Sequence, residues 1–375
     1  MRLDGVDSAL LARALALAEQ SIGLSDPNPR VGCVVHDASG ELAGEGHTQQ
    51  AGGPHAEVMA LRDAAARGCD LRGGTAWVSL EPCAHHGRTP PCCDALIAAG
   101  LARVVIATTD PYPQVAGQGI ARLRGAGVVV DVAQGEVARA ARELNIGFFS
   151  RNLRGRPWVR MKVAASLDGR TALPDGSSQW ITGPEARADG HRWRKRAGAV
   201  LTGIGTVLAD DPRMDVRLVD STLQPLRVVL DSRWRLPPSA RMLQPPGDVL
   251  VVGAVSDASR MALLQAAGAS TLLLPDASGR VDLAALLAHL AERGINELHV
   301  EAGATLNAAL LAAGHIDEVL AYVAPKLLGA GRGIASLSPL ADLAQAVGLQ
   351  FVAHDLVGTD LRLQARMPGS DAFMA

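Results

Sequence analysis

At 375 residues the chain exceeds one typical core and predicts two domains. With 48% hydrophobic, 20% charged and 3% aromatic residues and a net charge of −2, it has a globular balance without the basic footprint or stacking platforms of nucleic-acid binding. No run of about twenty uninterrupted apolar residues marks a membrane span, and the first residues carry two acids and no apolar signal core, so a cytoplasmic protein is expected.

Residues 8–23 place Leu10, Leu11, Ala14, Leu15, Leu17 and Ala18 at a helical period, with Ser8 as the N-cap. An apolar strand over 31–36, a turn at 37–40 and a return strand over 41–46 read as a hairpin. A helix follows from His55 to about residue 67, stopped by Gly68, and then a buried strand over 75–80 that delivers Cys83. The helix opened by Cys92 is ended by Gly100. A strand over 103–108, a helix over 119–127 and a strand over 128–130 complete an order that predicts a five-stranded sheet between helices. Ligands then fall at strand ends and helix starts. Residues 144–150 close this half, so 1–150 reads as one domain and the basic stretch 151–157 as a short linker.

Two segments of this half carry chemistry. Pro54-His55-Ala56-Glu57, then Glu81-Pro82-Cys83 and Pro91-Cys92, hold the parts of a zinc site for hydrolytic deamination. His55, Cys83 and Cys92 would bind the metal and leave a fourth tetrahedral position for water, which zinc makes acidic enough to act near neutral pH. Glu57 would shuttle the protons. Eight residues, rather than two, separate Cys83 from Cys92, so Cys93 and the pair His85-His86 compete as ligands. Cys92 is preferred because it opens a helix, where unpaired N–H groups and the dipole favour a thiolate. The competing reading is a structural zinc, which would want four protein ligands and give Glu57 no task. Cys33 and Cys69 read as packed thiols. Five cysteines, three of them clustered around one His-x-Glu, suit a metal site in a reducing compartment better than a disulfide framework.

The second half, read as a domain over 157–367, shows strands over 158–165, 199–206, 227–232, 248–253, 271–274, 297–303 and 319–325. Two late strands lie near 349–352 and 361–365, and a helix spans 305–313. Alternating strands and helices with Gly-rich turns suggest a nucleotide-binding α/β domain, with Gly303 ahead of a helix whose N–H groups could meet phosphate. Gly203-x-Gly205 and Gly329-x-Gly331-x-Gly333 lack the full spacing of a dinucleotide fingerprint.

Specific residues say more than the pattern. The run Glu81-Pro82-Cys83-Ala84-His85-His86-Gly87-Arg88-Thr89-Pro90-Pro91-Cys92, with Pro27-Asn28-Pro29-Arg30-Val31-Gly32, Gly46-His47 and Gly53-Pro54-His55-Ala56-Glu57-Val58, resembles the deaminase half of the bifunctional riboflavin-biosynthesis deaminase/reductase family. Lys162-Val163-Ala164-Ala165-Ser166-Leu167-Asp168-Gly169-Arg170, Gln179-Trp180-Ile181-Thr182, Thr206-Val207-Leu208-Ala209-Asp210-Asp211-Pro212 and Val300-Glu301-Ala302-Gly303 resemble its reductase half. The two likenesses are collinear and cover nearly the whole chain.

The resemblance implies an α/β protein: an N-terminal cytidine-deaminase-like three-layer α/β/α domain and a C-terminal dihydrofolate-reductase-like α/β domain. It implies zinc-dependent deamination of 2,5-diamino-6-(5-phosphoribosylamino)pyrimidin-4(3H)-one. NADPH-dependent reduction of the ribosyl group of 5-amino-6-(5-phosphoribosylamino)uracil to ribityl would follow. Asn28 and His47 resemble pyrimidine contacts; their bland readings are a turn residue and a solvated imidazole. Cofactor contacts are implied at Ala164, Trp180, Thr206, Asp210 and Ser232, and along Gly303, Ala304, Thr305, Leu306 and Asn307. Substrate contacts are implied at Ser178, Arg194, Met214, Arg217 and Glu301. Arg194 and Arg217 suit a dianionic phosphate, or are surface charges. Lys162 reads as a cation polarising the sugar carbonyl or imine, or as a partner of Asp168 or Asp210. Trp180 could instead be core, and His86 and Arg88 either meet the phosphate or belong to a solvated loop.

The expected partner is a small phosphorylated pyrimidine, with no nucleic acid and no membrane, and a homo-oligomer paired through the reductase sheet edge is expected. Three rivals stand beside this reading: a nucleic-acid base deaminase with a targeting domain, a zinc-stabilised interaction protein without turnover, and a second half that binds cofactor without reducing anything.

Overall fold

The structure, a computed structural model, describes residues 5–84, 90–112, 116–244 and 246–374. The chain divides between Arg154 and Gly155 into two compact units, with Met374 grouped with the first. Among the described residues, no helix is long and apolar enough to cross a membrane.

The first unit runs α1 Gly5–Glu19, β1 Gly32–His36, β2 Leu42–His47, α2 Ala56–Ala66, β3 Thr75–Val78 and α3 Cys92–Ala98. It continues with β4 Arg103–Ile106, α4 Gln118–Gly125, β5 Val129–Val132, α5 Glu136–Leu144 and α6 Ile146–Arg154. Its five-stranded sheet has the order β2-β1-β3-β4-β5, antiparallel from β2 to β3 and parallel from β3 to β5. Strand alternation aims Gly32 at α1 and Gly46 at α2 on the opposite face. A Cβ on Gly32 would lie 1.9 Å from the Ala14 carbonyl oxygen, and one on Gly46 2.5 Å from the Ala60 nitrogen. Glycine at these points therefore lets a helix press onto each face of the hairpin, and three layers result.

Three expectations for this unit need correction. Helix α1 begins at Gly5, so Ser8 lies inside it and is not the N-cap. The extra turn is held because Asp7, buried within it, accepts hydrogen bonds from Trp77 Nε1 at 2.8 Å and from Arg103 at 2.7 and 2.8 Å. Residues Arg151 to Arg154 are the last turn of α6 rather than a linker; Arg154 donates back to the Ser150 hydroxyl, and Gly155 ends the helix with φ +67°. Helix α5, unforeseen, buries Ala138 and Ala141 with Leu11 and Trp77.

The second unit runs β6 Trp158–Ser166, β7 Arg170–Ala172, α7 Pro184–Arg196, β8 Ala199–Gly203, α8 Ile204–Asp210, β9 Leu226–Leu230, β10 Val249–Gly253 and α9 Ala258–Ala266. It continues with β11 Ser270–Leu273, α10 Leu283–Glu292, β12 Glu297–Val300, α11 Ala304–Ala312, β13 Glu318–Ala324, β14 Arg332–Gly333, β15 Gln350–Val357 and β16 Asp360–Arg366. Nine strands form one sheet in the order β11-β10-β9-β8-β12-β6-β13-β16-β15. Strands β11 to β13 are parallel, and β16 and β15 add an antiparallel edge.

Every residue of β9 and β10 is buried, the mark of a parallel sheet covered on both faces. One face packs Leu201, Val228 and Val252 against Leu286, Leu290 and Leu310; the other packs Val200, Val229 and Val251 against Val207, Trp234 and Leu264. The strand expected over 199–206 stops at Gly203, which serves as the N-cap of α8, so Thr206 lies on a helix.

Candidate active sites

The first site is built where α2 and α3 begin. His55 occupies the N-cap position of α2, and Glu57 lies in that helix's first turn with 3% exposure. Past β3 the chain runs through Glu81 to Cys83. The Glu81 carboxylate accepts backbone N–H bonds from Asp110, Gly117 and Ile120 at 3.0–3.2 Å, which ties the Cys83 loop to the next strand end and to α4. Cys92 opens α3, and its N–H donates to Cys83 Sγ at 3.3 Å.

His55 Nδ1 lies 3.7 Å from Cys83 Sγ and 3.3 Å from Cys92 Sγ. A tetrahedral zinc with ordinary Zn–N and Zn–S bonds would set those separations at about 3.6 Å. All three donor atoms fall within 4.8 Å of one another. An imidazole and two thiols at this spacing fit zinc and leave one coordination position open; no other group of metal-ligating residues occurs among the described residues. Cys93 is fully buried outside this trio, its thiol pushed up to about 11 by burial and then by Asp94. His85, His86 and Arg88 lie outside the described residues.

Electrostatics sort the trio's neighbours. The Cys83 thiol is held down to about 4, first by its hydrogen bond with Cys92, and the Cys92 thiol is correspondingly pushed up. Burial, then the Cys83 thiolate, raises the Glu57 carboxyl above its ordinary range. Asn28 lies in a turn closed by its N–H to the Ser25 carbonyl at 2.9 Å. His47 ends β2, with Nδ1 3.3 Å from the Ser21 hydroxyl. Neither hydrogen-bonds to the trio among the described residues. Cys33 is fully buried and Cys69 partly so, and all five cysteines are free of disulfides.

The second site is a cleft of about 1630 Å³ in the second unit. It receives every reductase-half residue singled out above: Lys162, Ala164, Ser178, Trp180, Arg194, Thr206, Asp210, Met214 and Arg217, then Ser232, Glu301 and the run from Gly303 to Asn307. Strand β6 brings Lys162 and Ala164, α8 brings Thr206 and Asp210, the turn after β9 brings Ser232, and the end of β12 brings Glu301. Such convergence at the carboxyl ends of parallel strands is where open α/β sheets bind ligands. The cleft exceeds the several hundred Å³ usual for one small ligand, which leaves room for a dinucleotide beside a substrate.

Gly303 is the N-cap of α11, and only Thr206 Oγ1, at 3.8 Å, lies near where its Cβ would be. Backbone N–H groups of the first turn can therefore meet phosphate closely. The Asn307 side-chain nitrogen donates to the carbonyls of Ala302 and Ile334 at 3.3 and 2.9 Å, while its buried Oδ1 has no partner among the described residues.

Two charged residues find a common partner in Glu301. Lys162 Nζ pairs with Glu301 at 3.9 Å, and neither Asp168 nor Asp210 is its partner. Asp168 instead accepts from Ser166 and from the N–H groups of Leu328 and Gly329. Arg194 grips Glu301 through Nε and Nη2, at 2.5 and 2.9 Å, and its Nη1 donates to the Asp215 carbonyl. Three of its five N–H donors are thus committed within the protein, so Arg194 is not a surface charge, and one N–H on each of Nη1 and Nη2 is left at the cleft it lines.

Burial pushes the Glu301 carboxyl up, but Arg194 and then Lys162 outweigh it and hold the group well below the usual range. Burial lowers the Lys162 ammonium. Trp180 is 60% exposed, with the Arg187 guanidinium 4.6 Å from its ring centroid, and so is not core.

The comparisons agree with this geometry. The family model described as the cytidine and deoxycytidylate deaminase zinc-binding region matches residues 5–108, and that of the RibD C-terminal domain matches residues 157–363. The riboflavin biosynthesis protein RibD of Escherichia coli (strain K12) is 46% identical over 370 residues, covering 95% of this chain and 98% of that protein.

The chain belongs to the RibD family.

Solved RibD relatives share its fold along the whole length. Acinetobacter baumannii RibD, form 1, matches with a TM-score of 0.87 at 41% identity, covering 96% of this chain and 98% of its own. A Thermotoga maritima structure described as a diaminohydroxyphosphoribosylaminopyrimidine deaminase/5-amino-6-(5-phosphoribosylamino)uracil reductase matches at 0.85 and 33% identity, with 96% and 98% covered. The chain thus joins a zinc-binding deaminase domain to an NADPH-dependent RibD reductase domain in one bifunctional enzyme of riboflavin biosynthesis.

Within this RibD chain, sequence reasoning missed α7 and the polar groups it brings to the cleft, Arg187 and His191. Their spacing with Arg194, at i, i+4 and i+7, was the available signal.

Proposed function

We propose that the first site deaminates 2,5-diamino-6-(5-phosphoribosylamino)pyrimidin-4(3H)-one and that the second reduces the ribosyl group of the resulting aminouracil to ribityl. The observation that carries the deaminase assignment is the His55–Cys83–Cys92 triangle beside a buried Glu57. Zinc held there supplies the Lewis acidity that makes water a nucleophile near neutral pH. Glu57 takes the water's proton, passes it to the ring nitrogen, and serves the departing amine, so that ammonia leaves neutral. Its burial supports a carboxyl that both accepts and returns a proton. Asn28 and His47 are assigned to hold the pyrimidine.

In the second site a nicotinamide supplies the hydride to the sugar's C1. Lys162, held at 3.9 Å by Glu301 and facing the cleft, polarises the opened sugar's C=O or C=N bond. The first turn of α11 takes cofactor phosphate, with Thr206, Ser232 and Trp180 beside it. Arg217 meets the substrate phosphate: one of its nitrogens is bonded to Asp215, and the others have no partner among the described residues. Domain limits of 1–150 and 157–367 are proposed for the two activities.

The exposed edge strand β15, with Phe351 and Leu356 at 72% and 76% exposure, supports pairing of two copies. A net charge of −2 supports a small-molecule partner over nucleic acid, and free thiols with NADPH chemistry support a cytoplasmic enzyme.

One experiment tests the whole assignment. Purified protein with its zinc content measured is given the diaminopyrimidine, and ammonia release and NADPH consumption are followed together. Stoichiometric ammonia followed by NADPH oxidation is expected. Ammonia without NADPH oxidation would leave only the deaminase, and zinc without ammonia would leave a structural metal.

A further inference from the structure

His191 stands three residues before Arg194 on α7 and is only 4% exposed. It nonetheless borders the reductase cleft, so the surface it retains belongs to that cleft. Its Nδ1 accepts the backbone N–H of Arg217 at 3.1 Å. A neutral imidazole has one acceptor nitrogen and one donor nitrogen. With Nδ1 accepting, the proton sits on Nε2. That Nε2–H has no partner among the described residues, and it is not among the sealed-off buried atoms.

The surroundings keep the ring in this form. Burial first, then the charges of Arg194 and Arg217, lower its pKa to about 4. Protonating Nδ1 would also break the bond that anchors Arg217. A lysine or arginine here would add a third cation and leave the Arg217 N–H without an acceptor, whereas a neutral imidazole anchors the loop and still offers a donor. Arg194 spends three of its five N–H donors on Glu301 and Asp215. The donors left open at this corner are the second N–H on each Nη of Arg194, those of Arg217 and the His191 Nε2–H.

We propose that His191 donates its Nε2–H to the phosphate of the reductase substrate and, with Arg217, sets the preference for a phosphorylated sugar. This rests on reading the cleft as the reductase site, and the test keeps the two claims apart.

Full-length His191→Phe and His191→Gln would be assayed with the phosphorylated aminouracil intermediate and with its dephosphorylated counterpart. The Phe variant should raise KM for the phosphorylated substrate roughly tenfold or more, as loss of a hydrogen bond to a charged group does, with kcat little changed. KM for the dephosphorylated compound, NADPH affinity by fluorescence titration, and ammonia release should match the parent. Gln can accept from Arg217 and donate to phosphate, and should recover most of the loss. Should the Phe variant not fold, His191→Glu, which keeps an acceptor and removes the donor, should give the same difference between the two substrates.

Equal KM rises for both substrates would make His191 merely structural, and unchanged KM for both would remove it from the site; either overturns the proposal. If the parent enzyme itself fails to oxidise NADPH with the phosphorylated intermediate, the reductase reading falls and takes this inference with it.

Discussion

Replacing Arg194 with Met removes the main partner of a buried carboxylate and keeps most of the side chain's bulk. Arg194 and Glu301 are only 13% and 15% exposed and share two hydrogen bonds. Breaking a buried pair from one side typically costs about 3–5 kcal/mol, because the remaining charge is stranded. Lys162 at 3.9 Å and His299 Nε2 at 3.3 Å stay near Glu301, which points to the lower end, about 3 kcal/mol. For a unit of this size that is a fall in Tm of roughly 6–12 °C.

The deficit should depend on pH in a definite direction. The depressed Glu301 pKa contributes stability that is fully present above the unfolded carboxylate value of about 4.3, and that is lost as pH falls through the folded value. Arg194→Met should therefore differ most from the parent at neutral pH and converge with it in acid. Calorimetry of the full chain is the assay, with ammonia release as a control for the first unit. Adding Glu301→Gln to Arg194→Met should recover part of the loss, since no charge is then stranded. A single variant melting within about 2 °C of the parent at neutral pH, or a double variant no better than the single, would refute the pairing argument.

Three further outcomes are expected. Glu57→Gln should keep zinc by elemental analysis yet lower deamination roughly 10²–10⁴-fold, with NADPH oxidation of the deaminated intermediate unchanged; full turnover would remove Glu57 from the proton path. Cys92→Ser should lower zinc occupancy and ammonia release together, whereas Cys93→Ser should do neither, because only Cys92 lies against His55 Nδ1. Phe351→Asp combined with Leu356→Asp should shift the protein toward monomer by light scattering, and an unchanged mass would exclude β15 as the pairing edge.

What could be read from the chain beforehand was the part written locally. His55 and Glu57 are two residues apart at one helix start, and Cys83 and Cys92 each follow a proline, so the local pattern announced a metal site while the long Cys83-to-Cys92 spacing left the third ligand to be chosen. Glycines between short apolar runs announced the strands. Helix α7 gave only a faint apolar signal for a physical reason: its buried positions are Ala186, Asp189, Gly190 and His191, so most of what it buries is not an apolar side chain. The strand expected over 199–206 failed differently. Gly203 continues an apolar run in the sequence but acts as a helix N-cap in space, and no local signal separates the two.

The charge pairs were illegible for a common reason. The resemblance implies Arg194 as a substrate contact, but nothing local in the sequence announces what anchors it. Its partner Glu301 lies 107 residues away, and only the fold brings them together. The same holds beneath the cleft. Arg160 is buried between Glu297 and Glu318, and Asp189 accepts from Tyr322 Oη at 2.6 Å and from Arg362 at 2.8 Å.

These pairs sit on the strands and the helix that carry the reductase residues. Lys162 stands on β6 beside them, its ammonium 5.9 Å from the Tyr322 ring centroid and 3.9 Å from Glu301. Polar burial of this kind is costly when a single partner is missing, so it fixes where Lys162 can point. A motif identifies residues that belong to a site, but which of them touch substrate and which hold the others in place follows from the hydrogen bonds each has left to give.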